Sequence, residues 1–410
     1  MSIENLKCKE CGSTFELGAN YFCENCFGPL EVTYDLSALD ATEAKRRIQA
    51  GSQGIWRYAD FLPFEGRPGD PLEPGLTPLL RADRLAEALE LDAEVWIKND
   101  AANPTHSFKD RVVAVAVAKA RELGFETVAC ASTGNLANAV AAHAAAAGLE
   151  SYVFVPSDLE EQKILATGVY GTNLVAVNGN YDDVNRLCTQ LAETRPWAFV
   201  NVNLRPYYAE GSKTLAYETA EQLGWELPDR VVCPIASGSL FTKLGRGFQE
   251  WLDLGLLEGD QPVFNGAQAL GCSPVATAFA EGWDVCRPQK PDTIAKSLAI
   301  GDPADGPYAV ELARRSGGGV DSVTDEEIRG GIKLLAETTG IFTETAGGVT
   351  VGVLQKLAER GEIGAGERVV VYLTGEGLKT LDATRDTFQM HEIDPSLDSF
   401  EAEFRQEVAV

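Results

Sequence analysis

Short apolar segments alternate with helix-like segments along most of the chain, from residue 95 onward. The segments predicted as strands are 95–98, 127–131, 151–155, 173–177, 198–201, 230–235 and 367–373. Helical patterns follow them, among others at 135–147, 181–194 and 210–223. This repetition of strand, loop and helix predicts a mostly parallel α/β sheet with helices on both faces. Ligands of such sheets bind at the carboxyl ends of the strands, so the loops there are candidate sites.

The first 33 residues depart from this pattern and contain two Cys-x2-Cys knuckles. Four thiolates at this spacing can bind one tetrahedral ion, which predicts a zinc-ribbon-like module with structural Zn2+ as the candidate ion. The candidate metal ligands are Cys8, Cys11, Cys23 and Cys26. A site closed by four cysteines has no open position for catalysis. The alternative is a pair of knuckles that has lost its metal. The other five of the nine cysteines lie among apolar neighbours and are expected to be reduced core residues.

Composition and charge restrict the possible partners. The 410 residues are 45% hydrophobic and 23% charged, as in ordinary globular proteins. With 61 acidic and 35 basic side chains the net charge is -26, which repels nucleic acid and anionic membrane surfaces. No apolar run is long enough to span a membrane, and no secretory signal is recognised at the start. We therefore expect a cytoplasmic protein with neither nucleic acid nor a membrane as partner. The dispersed acidic residues are typical either of a high-salt cytoplasm or of an ordinary acidic protein.

A lysine occupies an unusual position in the stretch 103–111, between the predicted strand 95–98 and a helix rich in valine and alanine. Lys109 falls where this helix begins, and the positive end of a helix disfavours an ammonium group. A neutral amine at this position suits imine formation with an aldehyde. The alternative is an exposed lysine at a frayed helix end, because Ser107 and Asp110 also have the spacing of a capping box.

Three other loops at strand ends carry small polar residues. Residues 132–135, Ser-Thr-Gly-Asn, open a helix, and their amides and hydroxyls can bind a carboxylate. Residues 236–240, Ala-Ser-Gly-Ser-Leu, open another helix and can bind a phosphate, although neither the Walker A nor the dinucleotide-binding spacing is present. Residues 374–380 form a Gly-flanked turn that begins with a hydroxyl. Each loop taken alone is equally typical of an ordinary turn.

Taken together, these motifs resemble the threonine synthase family of fold-type II pyridoxal-phosphate enzymes. The resemblance runs from about residue 75 to 385 in the family's order and rests on 104–111, 132–135, 236–243, 290–307, 341–348 and 374–380. The cysteine knuckles resemble an N-terminal extension of some members. The family implies conversion of O-phospho-L-homoserine and water to L-threonine and phosphate, with pyridoxal 5'-phosphate as cofactor and a homodimer as the assembly. The alternatives are cysteate synthase, which uses O-phosphoserine and sulfite, threonine dehydratase, and a non-catalytic relative that binds the cofactor or a metabolite.

The resemblance also implies roles for individual residues. Lys109 would be the catalytic Schiff-base lysine, Asn135 would hydrogen-bond the phenolic oxygen of the cofactor, and Thr374 would face its pyridine nitrogen. The amides that bind the cofactor phosphate would be those of Ala236, Ser237, Gly238, Ser239 and Leu240. The substrate carboxylate would be bound by Ser132, Thr133 and Gly134. The candidates for the substrate phosphate are Ser107, Arg111, Arg205 and Lys213, and for the last two a surface salt bridge is equally compatible with the sequence. His106 has no assigned role.

These inferences divide the chain into five segments. Residues 1–33 would form the zinc-ribbon-like module, and 34–94 a connector with the start of the large domain. Residues 95–205 would form a smaller, mobile α/β domain that carries the lysine and the carboxylate loop. Residues 206–390 would form the large α/β domain that binds pyridoxal phosphate, and 391–410 an acidic tail. The expected fold class is thus α/β, with two parallel-sheet domains of the fold-type II pyridoxal-phosphate enzymes and a small N-terminal module.

Overall fold

The computed structural model describes residues 2–20, 22–69, 72–132, 134–159, 161–179, 181–385 and 387–404. The strands in these ranges are β1 (Ser2–Cys8), β2 (Thr14–Phe15), β3 (Leu30–Asp35), β4 (Leu79–Arg81), β5 (Glu94–Asn99), β6 (Thr127–Ala131), β7 (Glu150–Pro156), β8 (Asn173–Val177), β9 (Ala198–Phe199), β10 (Arg230–Pro234), β11 (Val263–Ala269), β12 (Gly319–Val323) and β13 (Arg368–Leu373). The α-helices are α1 (Ala41–Gln49), α2 (Asp83–Ala88), α3 (Lys109–Glu122), α4 (Asn135–Ala147), α5 (Glu161–Gly168), α6 (Tyr181–Thr194), α7 (Arg205–Glu210), α8 (Lys213–Gln222), α9 (Ser239–Asp253), α10 (Pro274–Ala280), α11 (Gly306–Arg315), α12 (Asp325–Thr339), α13 (Thr345–Glu359) and α14 (Leu397–Glu403). Short 3-10 helices lie at Ile55–Phe61, Asp100–Ala102, Lys296–Leu298 and Gly377–Thr384.

The N-terminal strands form a small antiparallel sheet in the order β2-β1-β3. Its buried side chains, among them Leu6, Leu30 and Val32, belong to the main apolar core of the protein. Cys8, the last residue of β1, and Cys23 are buried in the same core. The N-terminal module therefore has its own sheet but shares its core with the rest of the chain.

A parallel four-stranded sheet has the order β8-β7-β6-β9. Its strands β6, β7 and β8 agree with the predicted segments 127–131, 151–155 and 173–177 to within one residue at each end. All five residues of β6 are buried, as expected of a central parallel strand covered on both faces. The helices α3 and α4 lie against one another, and most of their valine and alanine side chains are buried. This sheet and its helices are the smaller α/β unit that the sequence predicted.

A six-stranded sheet in the order β12-β11-β10-β13-β5-β4 forms the larger unit. All its neighbours are parallel except the edge strand β4, which is antiparallel to β5. Strand β5, which the sequence assigned to the smaller domain, pairs here with β13 over six residues, from Arg368↔Glu94 to Leu373↔Asn99. The predicted start of the smaller domain at residue 95 is therefore wrong. The apolar pattern of β5 fits either sheet, and its partner β13 lies more than 260 residues further along the chain, so local pattern cannot identify the pairing.

The large sheet is buried on both faces. Val369 and Val371 point into one apolar cluster, while Val370 and Tyr372 between them point into another. This period of two explains why β13 reads as a continuous apolar run. Because β5 and β13 are parallel neighbours, the loops after them meet at one edge: Ser107 forms a bridge with Gly375 there. No helix within the described residues is both long and apolar enough to cross a membrane.

Candidate active site

Lys109 is fixed at the junction of the two sheets by backbone hydrogen bonds. The amide of Phe108, the residue before it, donates to Thr374 O at 2.8 Å, beyond the end of β13. His106 has a left-handed φ of 61°, its amide donates to Asn103 O at 2.8 Å, and its carbonyl accepts from Glu376 N at 3.2 Å. Such a φ is uncommon for a non-glycine residue and marks a tight turn held by its surroundings. His106, which had no assigned role, thus shapes the turn that leads into α3.

A cavity opens above Lys109, between the carboxyl ends of the large-sheet strands and the start of α4. The Nζ atom of Lys109 lies 3.0 Å from the Tyr208 hydroxyl. The lining includes the predicted lysine, the predicted amide side chain, the whole 236–240 loop and the predicted hydroxyl. In full, the lining residues are Phe108, Lys109, Asn135, Tyr208, Ser212, Pro234, Ala236, Ser237, Gly238, Ser239, Leu240, Ser297, Leu298, Glu344 and Thr374. Residues that lie more than 260 positions apart in sequence are brought to one site.

The 236–240 loop has the geometry of an anion site at a helix start. Gly238 is the N-cap of α9 and has a φ of 93°, a conformation that L side chains rarely adopt. A Cβ atom on Gly238 would lie 2.7 Å from Asp305 O. The Asp305 amide in turn donates to Ser237 O at 2.8 Å. The first amides of α9 lack carbonyl acceptors within the helix, so this end favours a phosphate.

Asn135 is oriented by two charged groups. Its Nδ2 atom donates to Glu344 Oε2 at 2.9 Å, and its Oδ1 atom accepts from Lys379 Nζ at 2.9 Å. Lys379 Nζ also donates to Thr105 O at 2.6 Å, which ties the amide to the turn before α3. Because one Nδ2 hydrogen is used by Glu344, a second one remains for an acceptor in the cavity.

Glu344 is nearly fully buried, at 2% exposure, and accepts from Thr374 Oγ1 at 3.3 Å. Burial raises the pKa of Glu344, and its contacts with Asn135, Lys379 and Thr374 offset that rise only in part. Burial also lowers the pKa of Lys379. A side chain on Gly375 would collide with Glu344, since its Cβ atom would lie 2.5 Å from the Glu344 Cδ atom. The Gly375 position therefore allows the carboxyl group to approach the strand end.

The carboxylate loop lies beside this cavity. The Ser132 hydroxyl accepts from the amides of Gly134, at 3.3 Å, and Ala137, at 3.2 Å, and so caps the start of α4. Gly134 is the N-cap of that helix. Thr133 lies outside the described residues. Asn135 follows directly and does line the cavity, so the substrate-carboxylate role of this loop stays a prediction.

Two of the cations considered for the substrate phosphate require correction. Arg111 has no exposed surface and is bound by Asp100 at 2.7 Å and by Glu218 at 2.8 Å. Lys213 is equally buried and pairs with Glu210 at 2.7 Å and with Glu250 at 3.0 Å. Neither side chain lines the cavity, because each is held inside the protein by two carboxylates.

The remaining two candidates lie nearer to the cavity. Ser107 is fully buried, and its hydroxyl lies 3.4 Å from the Lys109 amide, where it supports the start of α3. Arg205 keeps 33% of its side chain exposed and donates to Asp305 Oδ2 at 2.8 Å. Since Asp305 also contacts the 236–240 loop, Arg205 is the candidate cation that lies beside that loop.

Sequence reasoning missed two residues that line the cavity, Glu344 and Tyr208, and one that orients the lining residue Asn135, Lys379. Glu344 and Lys379 lie within the motifs 341–348 and 374–380 but received no role. Tyr208 lies in the short helix α7, and nothing in its local sequence distinguishes it from a core tyrosine. The proximity of these side chains depends on contacts between distant segments, such as Lys109 with Tyr208, 99 positions apart.

The four N-terminal cysteines converge at a separate location. Their Sγ atoms all lie within 4.8 Å of one another. The structure therefore brings together the whole predicted ligand set of Cys8, Cys11, Cys23 and Cys26.

Comparisons with known proteins agree with this geometry. Residues 71–375 match the family model described as pyridoxal-phosphate dependent enzyme. The threonine synthase of Methanocaldococcus jannaschii is 37% identical over 380 residues, which are 92% of this chain and 93% of that protein. The threonine synthase of Methanosarcina acetivorans is 38% identical over 378 residues, 92% of each chain.

Solved structures resemble the fold at lower identity. The processed form of threonine deaminase isoform 2 from Solanum lycopersicum has a TM-score of 0.64 at 20% identity and covers 82% of this chain and 84% of its own. Maize serine racemase has a TM-score of 0.63 at 17% identity, with 82% and 93% covered. At this identity the likeness supports the fold alone.

Proposed function

This chain belongs to the threonine synthase family of pyridoxal-phosphate-dependent enzymes, and we propose that it converts O-phospho-L-homoserine and water to L-threonine and phosphate. The observation that carries the proposal is the single cavity that unites Lys109, Asn135, Thr374 and the glycine-bearing start of α9. The likeness to threonine synthases over nine-tenths of both chains supports the same substrate.

The cavity residues fit pyridoxal phosphate. An amine lies at one end, the amides of a helix start at the other, and an amide and a hydroxyl side chain lie between them. Gly238 leaves no room for a side chain where the phosphate loop meets Asp305. When bound, the cofactor withdraws electrons from the carbon atoms of the amino acid, which labilises its α and β protons and the γ-phosphate.

Lys109 is the residue we propose as the proton carrier. Its amine can accept and return protons at the substrate carbons once it is released from the cofactor. The Tyr208 hydroxyl lies 3.0 Å from this amine, so it can orient the amine by a hydrogen bond and exchange a proton with it. The two groups therefore act as a pair on the same side of the cavity.

Glu344 and Thr374 form a second pair, which we propose faces the pyridine nitrogen. Glu344 accepts from the Thr374 hydroxyl at 3.3 Å, which fixes the direction of that hydroxyl at the strand end. Burial raises the pKa of Glu344. The Thr374 oxygen keeps a lone pair for a donor in the cavity. Because a hydroxyl carries no charge, it favours a protonated pyridine nitrogen less than a carboxylate at the same place would.

The residues that bind the substrate carboxylate and phosphate are further proposals. We propose that Ser132, Thr133 and Gly134 bind the substrate carboxylate at the start of α4, and that Arg205 contributes to binding the substrate phosphate. A negatively charged chain needs such a local cation or amide cluster to attract an anionic substrate.

One comparison of substrates tests the proposed activity. Purified protein loaded with pyridoxal phosphate should release phosphate from O-phospho-L-homoserine and form threonine. Release that is faster with O-phosphoserine plus sulfite would favour cysteate synthase, and ammonia release from threonine would favour a dehydratase. Lys109→Ala is the control, because it should abolish both turnover and the visible absorbance band of the bound cofactor. Cofactor binding without turnover of any of these substrates would favour the non-catalytic relative.

Assembly and location are further proposals. We propose a homodimer, which light scattering of the purified chain would test. We also propose the cytoplasm, because an odd number of cysteines, nine in all, argues against a disulfide framework.

A further inference from the structure

The two cysteine knuckles have the same internal hydrogen bonds. In the first, Cys8 N donates to Ser13 O at 2.8 Å and Gly12 N donates to Cys8 O at 3.1 Å. In the second, Cys23 N donates to Gly28 O at 2.8 Å and Phe27 N donates to Cys23 O at 2.8 Å. Two separate segments thus present their thiols in one repeated turn.

The second knuckle adopts this turn against its intrinsic preference. The position after the second cysteine, which Gly12 occupies with a φ of 73° in the first knuckle, is occupied by Phe27 with a φ of 61° in the second. A left-handed phenylalanine costs about 1–2 kcal/mol, and its ring is 77% exposed, so burial of the ring does not compensate for that cost. The Phe27 ring stacks on the Phe22 ring, with centroids 5.7 Å apart, and the turn presents the neighbouring Cys26 thiol to the other three thiols.

The sulfur positions fit a tetrahedral ion. The closest pairs, Cys8 with Cys26 and Cys11 with Cys23, have Sγ–Sγ distances of 3.5 Å. Four ligands at about 2.3 Å from a zinc ion lie about 3.8 Å from each other. This value lies within the range of the observed Sγ–Sγ distances, from 3.5 Å up to 4.8 Å.

The module pairs with Asp305, the residue against which the 236–240 loop packs. Lys9, the residue after Cys8, lies 3.7 Å from Asp305 Oδ1 and 3.4 Å above the Tyr308 ring. The Asp305 backbone is the group against which Gly238 packs and to which Ser237 O is hydrogen-bonded. A shift of the first knuckle would therefore be transmitted to the 236–240 loop through Asp305.

A second route reaches the helix that follows the loop. Glu31, in β3, lies 3.0 Å from Lys243 Nζ and 3.6 Å from Lys9 Nζ. Lys243 lies in α9 and also pairs with Glu210, at 2.7 Å, at the end of α7. The side chains of Lys9 and Lys243 are only 14% and 7% exposed, so solvent screens these pairs weakly.

We propose that the four cysteines bind one Zn2+ ion, and that this ion strengthens cofactor binding by holding Lys9 and Glu31 against the elements that carry the phosphate loop. The zinc has no open coordination position and takes no part in the reaction. The inference relies on the 236–240 loop as the cofactor-phosphate site.

The test combines metal content with cofactor affinity, without any measurement of turnover. Full-length protein purified without chelator should contain about one zinc ion per chain. The variant Cys11→Ser/Cys26→Ser changes the two exposed cysteines and should lose the metal, whereas Cys286→Ser is the matched control outside the cluster. After removal of pyridoxal phosphate, a titration followed by protein fluorescence gives its dissociation constant. We expect about a tenfold weaker binding in the double variant, equivalent to about 1.4 kcal/mol, and wild-type affinity in the control.

A second variant addresses the coupling while the ion remains bound. Lys9→Met should retain about one zinc ion per chain and weaken cofactor binding about fivefold, or about 1 kcal/mol, because it removes the pairs with Asp305 and Glu31. Lys7→Met, an exposed lysine two residues earlier in β1, is the control and should leave both quantities unchanged.

Three results would contradict the proposal, and they concern the metal site, the effect of zinc on cofactor binding, and the role of Lys9 respectively. Fewer than about 0.3 zinc ions per chain in wild-type protein supplied with zinc would remove the metal site. Wild-type cofactor affinity in the zinc-free double variant would contradict the proposed effect of zinc on cofactor binding. Wild-type cofactor affinity in Lys9→Met would contradict the proposal that this effect is transmitted through Lys9. Gly238→Ala tests the loop assignment separately, since unchanged cofactor affinity there would contradict that assignment while the zinc content stays the same.

Discussion

Replacement of Arg111 by methionine distinguishes a buried structural cation from a substrate ligand. Arg111 makes two hydrogen bonds to each of Asp100 and Glu218, all between 2.7 and 2.9 Å. Without it, Glu218 would keep its pair with Lys98, and Asp100 would have no other ion pair among the described residues. Removal of one partner from a buried pair costs about 3–5 kcal/mol, because the remaining charge is left uncompensated. We expect Arg111→Met to lower the free energy of unfolding by this amount.

Urea unfolding followed by tryptophan fluorescence measures this loss at pH 7. Arg360→Met is the matched control, because Arg360 pairs with Asp321 at 2.7 Å but is 40% exposed. An exposed pair contributes about 0–1 kcal/mol, so the control should change little. A loss no larger than that of the control would refute the buried-network interpretation. A raised KM for the phosphorylated substrate with unchanged stability would instead restore Arg111 as a substrate ligand.

The pH dependence gives the same prediction a second test. Burial alone would raise the pKa of Glu218, but the adjacent Arg111 and Lys98 cations outweigh burial and hold this pKa well below its usual range. The stability that this depressed pKa supplies is present above the unfolded value of about 4.3 and is lost as pH falls through the folded value. In Arg111→Met much of this contribution is absent. The difference in stability between wild type and variant should therefore be largest near neutral pH and shrink as the pH falls below about 4.3.

Three other side chains and one solvent condition give further predictions. Tyr208→Phe should lower kcat by about 10–100-fold with little change in KM, as measured by steady-state phosphate release; an unchanged kcat would exclude the proposed Lys109–Tyr208 pair. Glu344→Gln keeps an acceptor toward Thr374, so it should retain cofactor affinity, whereas Glu344→Ala should lose it; equal affinities would contradict the proposed Glu344–Thr374 pair. Because burial raises the pKa of Glu344, its contribution favours folding at low pH and diminishes as pH rises through that pKa, so Glu344→Gln should lose less stability on alkalinisation. Lys379→Met should weaken cofactor binding about tenfold by releasing Asn135, and a fluorescence titration measures it. If the charge of -26 reflects a high-salt cytoplasm, Tm should continue to rise in KCl above about 1 M, where ordinary screening is complete.

Local pattern was sufficient for most of the elements that carry the site. Strands β6 and β8 and helices α4 and α6 have the predicted bounds, because strand and helix periodicity and the small polar residues at their ends are local signals. The loops that contain Lys109, Asn135, Gly238 and Thr374 were found for the same reason, whereas the roles of the individual residues came from the resemblance to the family.

Local pattern was not sufficient to decide where a charged side chain points. Arg111 is two residues after Lys109, yet one lies in the cavity and the other in a sealed ion-pair network, because successive positions of a helix face different directions. Arg111 is buried because it faces α8, whose Glu218 lies 107 positions further along the chain. The same limit applies to Lys213, whose carboxylate partner Glu250 comes from α9. Arg205 could be placed beside the phosphate loop only once the structure showed Asp305 between them. A cation near a catalytic motif is therefore assignable to substrate or to structure only when its carboxylate partners are known.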